Sequence, residues 1–221
     1  MTILYEDNHI IIVNKSSSEI VQGDKTGDTP LSETVKEYLK EKYQKPGNVF
    51  LGVTHRLDRP VSGIVLFAKT SKALTRLNEM FRVGEVKKTY WAIVKTTPDP
   101  TEGELVHYLV RNEKQNKSYA YPKEVPHSKK AILNYKLISR SDNYCLLEVD
   151  LKTGRHHQIR CQLAKMGCPI KGDLKYGFPR SNPDGSICLH ARKVEFIHPV
   201  TKEVITIEAP VPDGSLWNAF K

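Results

Sequence analysis

His55-Arg56-Leu57-Asp58-Arg59-Pro60-Val61-Ser62-Gly63 runs directly into Ile64-Val65-Leu66-Phe67-Ala68-Lys69. The first half crowds one carboxylate, Asp58, among two arginines and a histidine. The second half is an apolar run of strand length, expected to be buried on both faces. Most Arg-x-Asp triplets are surface ion pairs. Here His, two Arg, Asp, Ser and Gly share nine residues at the mouth of a buried strand, and loops at strand ends are where scaffolds carry reactive groups. Nearby cations favour an ionised carboxylate. Such a group can serve as nucleophile, base or organiser of a phosphate site.

Other stretches repeat the pattern of polar motifs beside apolar runs. They are Lys88-Thr89-Tyr90-Trp91-Ala92, Thr153-Gly154-Arg155-His156-His157-Gln158-Ile159-Arg160, Pro169-Ile170-Lys171-Gly172-Asp173 and Leu189-His190-Ala191. With His55–Lys69 these five resemble, in order, the motifs of the RluA-type pseudouridine synthases. That family reads H-R-L-D-x-x-T-S-G, K-x-Y-x-A and T-G-R-x-H-Q-I-R, and the likeness runs from about Leu4 to Pro212. Val61 stands where the family usually has Thr. Asn14-Lys15-Ser16-Ser17-Ser18 stands where it usually reads N-K-P-x-G.

The resemblance implies an RNA pseudouridine synthase that isomerises uridines of structured ribosomal or transfer RNA. Asp58 would be the catalytic carboxylate, with Tyr90 and Arg160 as its catalytic companions. Arg160 would pair with Asp58, and Tyr90 would stack on the uracil. His55, Arg56, Arg155 and Leu189 would bind substrate. Arg56 would fill the space left by an extruded base, since modifying enzymes take the target out of its stack; phosphate binding is its simpler alternative. Taken alone, His55 reads better as a loop-ordering residue and Leu189 as an ordinary core leucine. The rival from another class is a non-catalytic RNA-binding protein on the same fold, whose mark would be a substituted Asp58.

Composition agrees with this picture. The chain has 221 residues, 39% hydrophobic and 27% charged, as in ordinary globular proteins. Its net charge is +9, from 34 Lys+Arg against 25 Asp+Glu, which favours a polyanionic partner. No apolar run approaches membrane-spanning length, and the first residues lack a signal-peptide pattern. The four cysteines form no disulfide framework, so a cytoplasmic, reduced protein is expected; a monomer is expected as well. His156, His157, Cys161 and Cys168 cluster in sequence without the spacing of a zinc site, so no metal is expected. No phosphate-binding glycine motif is present, so no nucleotide cofactor is expected.

Hydrophobic periodicity predicts strands at 3–5, 9–13, 62–69, 88–95, 105–110, 131–138, 144–151, 187–197 and 203–208. It predicts helices after Thr29-Pro30 and after Ser71, and over 154–166. Thr29 and Ser71 are the expected caps, and Gly84 a stop. The polar stretch 111–130 reads as an exposed loop or hairpin, and the tail 210–221 as irregular. Strands dominate without alternating strictly with helices, which predicts an α+β class with a largely antiparallel mixed sheet. The resemblance makes this the pseudouridine synthase fold, with flanking helices and a catalytic cleft. Residues 1–221 are expected to form a single catalytic domain with no N-terminal RNA-binding domain.

Overall fold

Ile10-Ile11-Ile12-Val13 and Ile64-Val65-Leu66-Phe67-Ala68 are the two most apolar runs of the chain. Both fold as strands whose side chains are almost wholly excluded from water. A computed structural model describes residues Met1–Phe220. In chain order the elements are β1 (Thr2–Glu6), β2 (Ile10–Lys15), α1 (Leu31–Lys42), β3 (Gly52–Val53), β4 (Ser62–Ala68), α2 (Ser71–Val83), β5 (Lys87–Val94), β6 (Glu102–Asn112), β7 (Lys117–Tyr121), β8 (Lys129–Arg140), β9 (Cys145–Leu151), α3 (Gln158–Lys165), β10 (Leu189–Ile197), β11 (Val204–Glu208) and α4 (Ser215–Asn218). The class is α+β, as expected.

The chain divides into two compact units, Met1–Val86 with Lys193–Pro210, and Lys87–Arg192 with Val211 onward. In the first unit β2 is paired antiparallel with both β1 and β4, β3 with β4, and the end of β10 with β11. In the second, β5-β9-β8-β6-β7 follow one another, and every one of these pairings is antiparallel. The polar stretch 111–130 resolves into a hairpin: β7 folds back on β6, with Asn112 opposite Lys117.

The helices begin where backbone amides find partners, which moves two expected caps. Thr29 does not cap α1. Pro30 occupies the cap position without a side-chain bond, because the amides of Leu31 and Ser32 donate to the carbonyls of Ile20 and Val21 instead. Thr70, not Ser71, caps α2, its Oγ1 accepting from the Ala73 amide at 3.1 Å. Gly84 closes α2 at φ +81°, the left-handed turn that glycine adopts without penalty. The third helix is shorter than predicted. His157 is left-handed at φ +53°, so residues 154–157 approach α3 as a turn. The tail, expected to be irregular, contains the short α4.

One buried carboxylate ties β1 to α1. Glu6 accepts from Tyr38, Lys42, Tyr43 and Lys69 at 2.6–2.9 Å. Burial pushes its carboxyl up, but the four hydrogen bonds outweigh that and bring it down to about 2. A folded-state pKa below the unfolded one stabilises above the unfolded value and loses that stabilisation as pH falls through the folded one. Glu6→Gln is therefore expected to lower the melting temperature at neutral pH. The deficit should shrink between about pH 4.5 and 2, read from melting curves of both proteins across that window.

Candidate active site

Asp58 opens a tight turn just ahead of β4, closed by the Val61 amide donating to the Asp58 carbonyl at 3.0 Å. Leu57 and Val61 on either side are buried, which fixes the turn and leaves the Asp58 side chain half-buried. Gly63, in the first pairing of β4, has φ +116°, a conformation that only glycine adopts readily. This accounts for the glycine that ends the motif.

The turn is held by Lys15, the last residue of β2, to which the sequence reading gave no role. Its side chain is 1% exposed. The ammonium donates to the carbonyls of Ser16 and Glu19 at 2.8 Å and of Arg59 at 3.2 Å. Burial pushes its pKa down to about 8 and Arg59 adds to the fall, while Glu19 and Asp58 pull it back. The Ser18 amide donates to the same Arg59 carbonyl at 2.9 Å. The loop thus keeps its grip on the Asp58 turn without the family's usual proline and glycine. Ser18 bears the strain, at φ +75°. Its side chain is exposed, and a left-handed non-glycine residue costs roughly 1–2 kcal/mol. Ser18→Gly should stabilise the protein by about 0.5–1 kcal/mol after the added freedom of the unfolded chain is counted, measured as a rise in denaturation midpoint.

Arg59, read in the sequence as a cationic neighbour of Asp58, spends its guanidinium elsewhere. Nη1 donates to Asp28 at 2.7 Å, and Nη2 to Thr26 at 2.8 Å with Asp24 at 3.4 Å. It thereby fastens the loop 24–28. His55 accepts the Leu66 amide at Nε2, 3.0 Å away, and its ring lies against Phe81. These are the bonds of a loop-ordering residue. Arg56 is exposed.

In the second unit Tyr90 sits on β5 opposite Val149 of β9, 8% exposed. Lys88, two residues earlier and so on the same face, has its ammonium pushed down by burial. Trp91 faces the other way, half-buried, with the Arg192 guanidinium 4.7 Å above its ring. The Thr153–Arg160 motif is a knot against β8. The Ile132 amide donates to Thr153 Oγ1 at 2.9 Å, and the Gln158 side chain donates to the Ile132 carbonyl at 3.1 Å. Gln158 Oε1 in turn accepts from Thr153 Oγ1 and the Arg155 amide. Arg155 was expected on the helix. It lies in the preceding turn, exposed, with Nε donating to the Lys130 carbonyl at 3.0 Å, because the Gln158 side chain holds its amide outside the helical pattern.

Arg160 is 5% exposed and forks onto Asp173, Nε to Oδ2 at 2.7 Å and Nη2 to Oδ1 at 2.9 Å. Asp173 is 1% exposed. The bidentate form is the strongest that arginine makes with a carboxylate. This partner was missed in the sequence, although Asp173 ends the Pro169–Asp173 motif. Gly172 before it is at φ +91°, and a Cβ there would come 2.8 Å from the Ser186 carbonyl, so the motif's glycine is sterically required. The Arg160 guanidinium lies 5.2 Å above the Tyr176 ring. The Tyr176 hydroxyl accepts the Ser118 amide at 2.8 Å and pairs with His157 Nδ1 at 2.9 Å. His157 stacks on His156, which bonds Ser118 Oγ at 2.8 Å. Burial pushes the Cys161 thiol up to about 11, and its Sγ donates to the Ser118 carbonyl. The histidines and Cys161 are thus occupied in a hydrogen-bonded core, and no metal-binding group of three occurs among the described residues. Leu189 begins β10, buried.

Comparison with known proteins bears on the family of the chain. The family model described as RNA pseudouridylate synthase matches residues 9–165. An uncharacterized RNA pseudouridine synthase of Bacillus subtilis (strain 168) is 33% identical over 96% of this chain and 69% of its own. The tRNA pseudouridine synthase C of Vibrio parahaemolyticus is 28% identical over 96% of this chain and 91% of its own. For the ribosomal large subunit pseudouridine synthase D of Xylella fastidiosa the values are 30%, 96% and 66%; this chain spans about two-thirds of several such relatives. Among solved structures, human RNA pseudouridylate synthase domain containing 4 superposes with a TM-score of 0.79 at 23% identity. That match covers 96% of this chain and 88% of the human one, and it shows the shared fold. The chain therefore belongs to the RNA pseudouridylate synthase family, whose reaction isomerises uridine in RNA to pseudouridine.

Proposed function

We propose that this chain isomerises specific uridines of structured transfer or ribosomal RNA, and that its two units work as one catalytic domain, with Asp58 as the reacting carboxylate. The observation that carries the reading is the five motifs in order, with Asp58 held on a main-chain turn that Lys15 anchors. Isomerisation breaks the bond between ribose and uracil nitrogen, turns the base, and rejoins it through carbon. Nothing is oxidised or reduced, so the reaction needs no redox cofactor. A carboxylate can attack the ribose, attack the ring, or remove a ribose proton. In this reading Tyr90 lies against the uracil, Arg160 partners the Asp58 carboxylate as well as Asp173, and Arg155 and Leu189 contact substrate. No helix among the described residues is long and apolar enough to cross a membrane, and a cytoplasmic monomer acting on RNA fits the composition.

The test is tritium release from RNA labelled at uracil C5, joined to pseudouridine mapping in total RNA from cells with and without the gene. A non-catalytic RNA-binding protein would bind RNA and release nothing. Arg56 refines the reading. If it fills the gap left by the extruded base, Arg56→Ala should lower the single-turnover rate about tenfold or more at saturating RNA. If it only contacts phosphate, the variant should keep its saturated rate and lose about one unit of salt dependence.

A further inference from the structure

β7 is the last strand in the second unit's order, and beside it lies an open groove of about 450 Å³. That volume is within the range of sites for small organic ligands. Its floor is apolar, formed by Ala120 with Cys161 and Ala164 of α3. Tyr119, Tyr121 and Tyr176 supply aromatic surface, and Lys117 and Lys165 are its charged groups; no carboxylate lines it. Two of the rings are held in place. The Tyr119 hydroxyl donates to Gln115 Oε1 at 2.6 Å, and that of Tyr176 accepts the Ser118 amide. Lys117 Nζ lies 5.4 Å from the Tyr119 ring centre and 5.3 Å from that of Tyr176. Tyr119 and Tyr121 are nonetheless 38% and 39% exposed.

A tethered, exposed ring, Tyr119, beside the Lys117 ammonium in a groove with no competing acid is what an unpaired nucleotide requires. The base stacks on an aromatic face, and the phosphate meets a cation. A peptide adding to the edge of the sheet is the alternative occupant. Lysine on an edge strand opposes such pairing, and a peptide makes no use of the two cations that line the groove. We propose that this groove is a second nucleotide site, taking an unpaired nucleotide of the RNA, with its base against Tyr119 or Tyr121 and its phosphate on Lys117 and Lys165. The proposal rests on the reading of RNA as substrate and adds a contact point outside the motif residues.

The test uses the full chain and 5′-fluorescein hexauridylate, with binding followed by anisotropy across a salt series. A 4-thiouridine version is cross-linked and mapped by mass spectrometry. Tyr119→Ala should weaken binding about fivefold or more, the loss expected for one stacked base. Lys165→Gln should lower the slope of log affinity against log salt by about 0.7. Lys40→Gln on α1, in the first unit, should change neither. Cross-links should fall on Tyr119 or Tyr121. Unchanged affinity and slope in both groove variants, with cross-links elsewhere, overturn the proposal and leave the groove to a peptide or to nothing. Tritium release by the wild type separates this from the enzymatic reading. Release together with an indifferent groove sinks only the groove. Absent release with cross-links at Tyr119 supports the groove and sinks the enzyme.

Discussion

Asp58→Asn should bind RNA as the wild type does and release no tritium from uracil C5. The expected loss is at least about 10⁴-fold, the scale on which removal of a reacting group acts in other enzymes. The amide has nearly the shape of the carboxylate, and the hydrogen bond that closes the turn runs between main-chain atoms, Val61 N–H to Asp58 C=O. The fold should therefore be kept, read as an unchanged far-ultraviolet circular dichroism spectrum. These two results together separate chemistry from folding. Residual release near the wild-type rate would mean that another group reacts, and the assignment of Asp58 would be withdrawn.

Arg160→Met is expected to cost both stability and rate. The arginine is buried, and so is the Asp173 carboxylate that it holds in a two-bond fork. Removing one side of such a pair leaves an uncompensated charge, at about 3–5 kcal/mol. For a chain of this size that is a fall of roughly 6–20 °C in melting temperature. Adding Asp173→Asn should restore a good part of the stability, because no charge is then stranded. It should not restore the rate if Arg160 also serves Asp58. Recovery of both would make Arg160 a structural residue only. A single variant as stable as the wild type would show that the fork contributes nothing net.

How much of this could be read beforehand follows from how far each interaction reaches along the chain. β4 was evident because its apolar run is continuous, and α2 because Leu74, Leu77 and Phe81 recur at helical spacing before a glycine. Asp58 and Tyr90 stood out because motifs are local in sequence. The caps of α1 and α2 were misplaced by a residue or lost, since the Leu31 and Ser32 amides are satisfied by carbonyls of the preceding loop and nothing in Thr29-Pro30 shows that. The start of α3 was set too early because Gln158 folds its side chain back onto Arg155, a tertiary knot that also needs Ile132. Asp173 lies within a motif, yet its partner is thirteen residues away. Lys15 was the least legible. A lysine with no exposed surface contradicts the usual behaviour of that residue, and its three acceptors are backbone atoms, which leave no trace in side-chain identity.

Lys15 recognises the carbonyls of residues 16, 19 and 59, and a carbonyl is the same whatever residue bears it. As far as this bond is concerned, the letters at Ser16, Glu19 and Arg59 are therefore free to change, provided the main-chain path is kept. At Lys15 itself there is no such freedom. Three converging oxygens suit a compact ammonium with three donors, whereas the flat fork of arginine projects its hydrogens in one plane, and a neutral residue leaves all three acceptors bare. For this contact the dependence on side-chain identity is thus lopsided: absent at the residues that are gripped, strict at the one that grips.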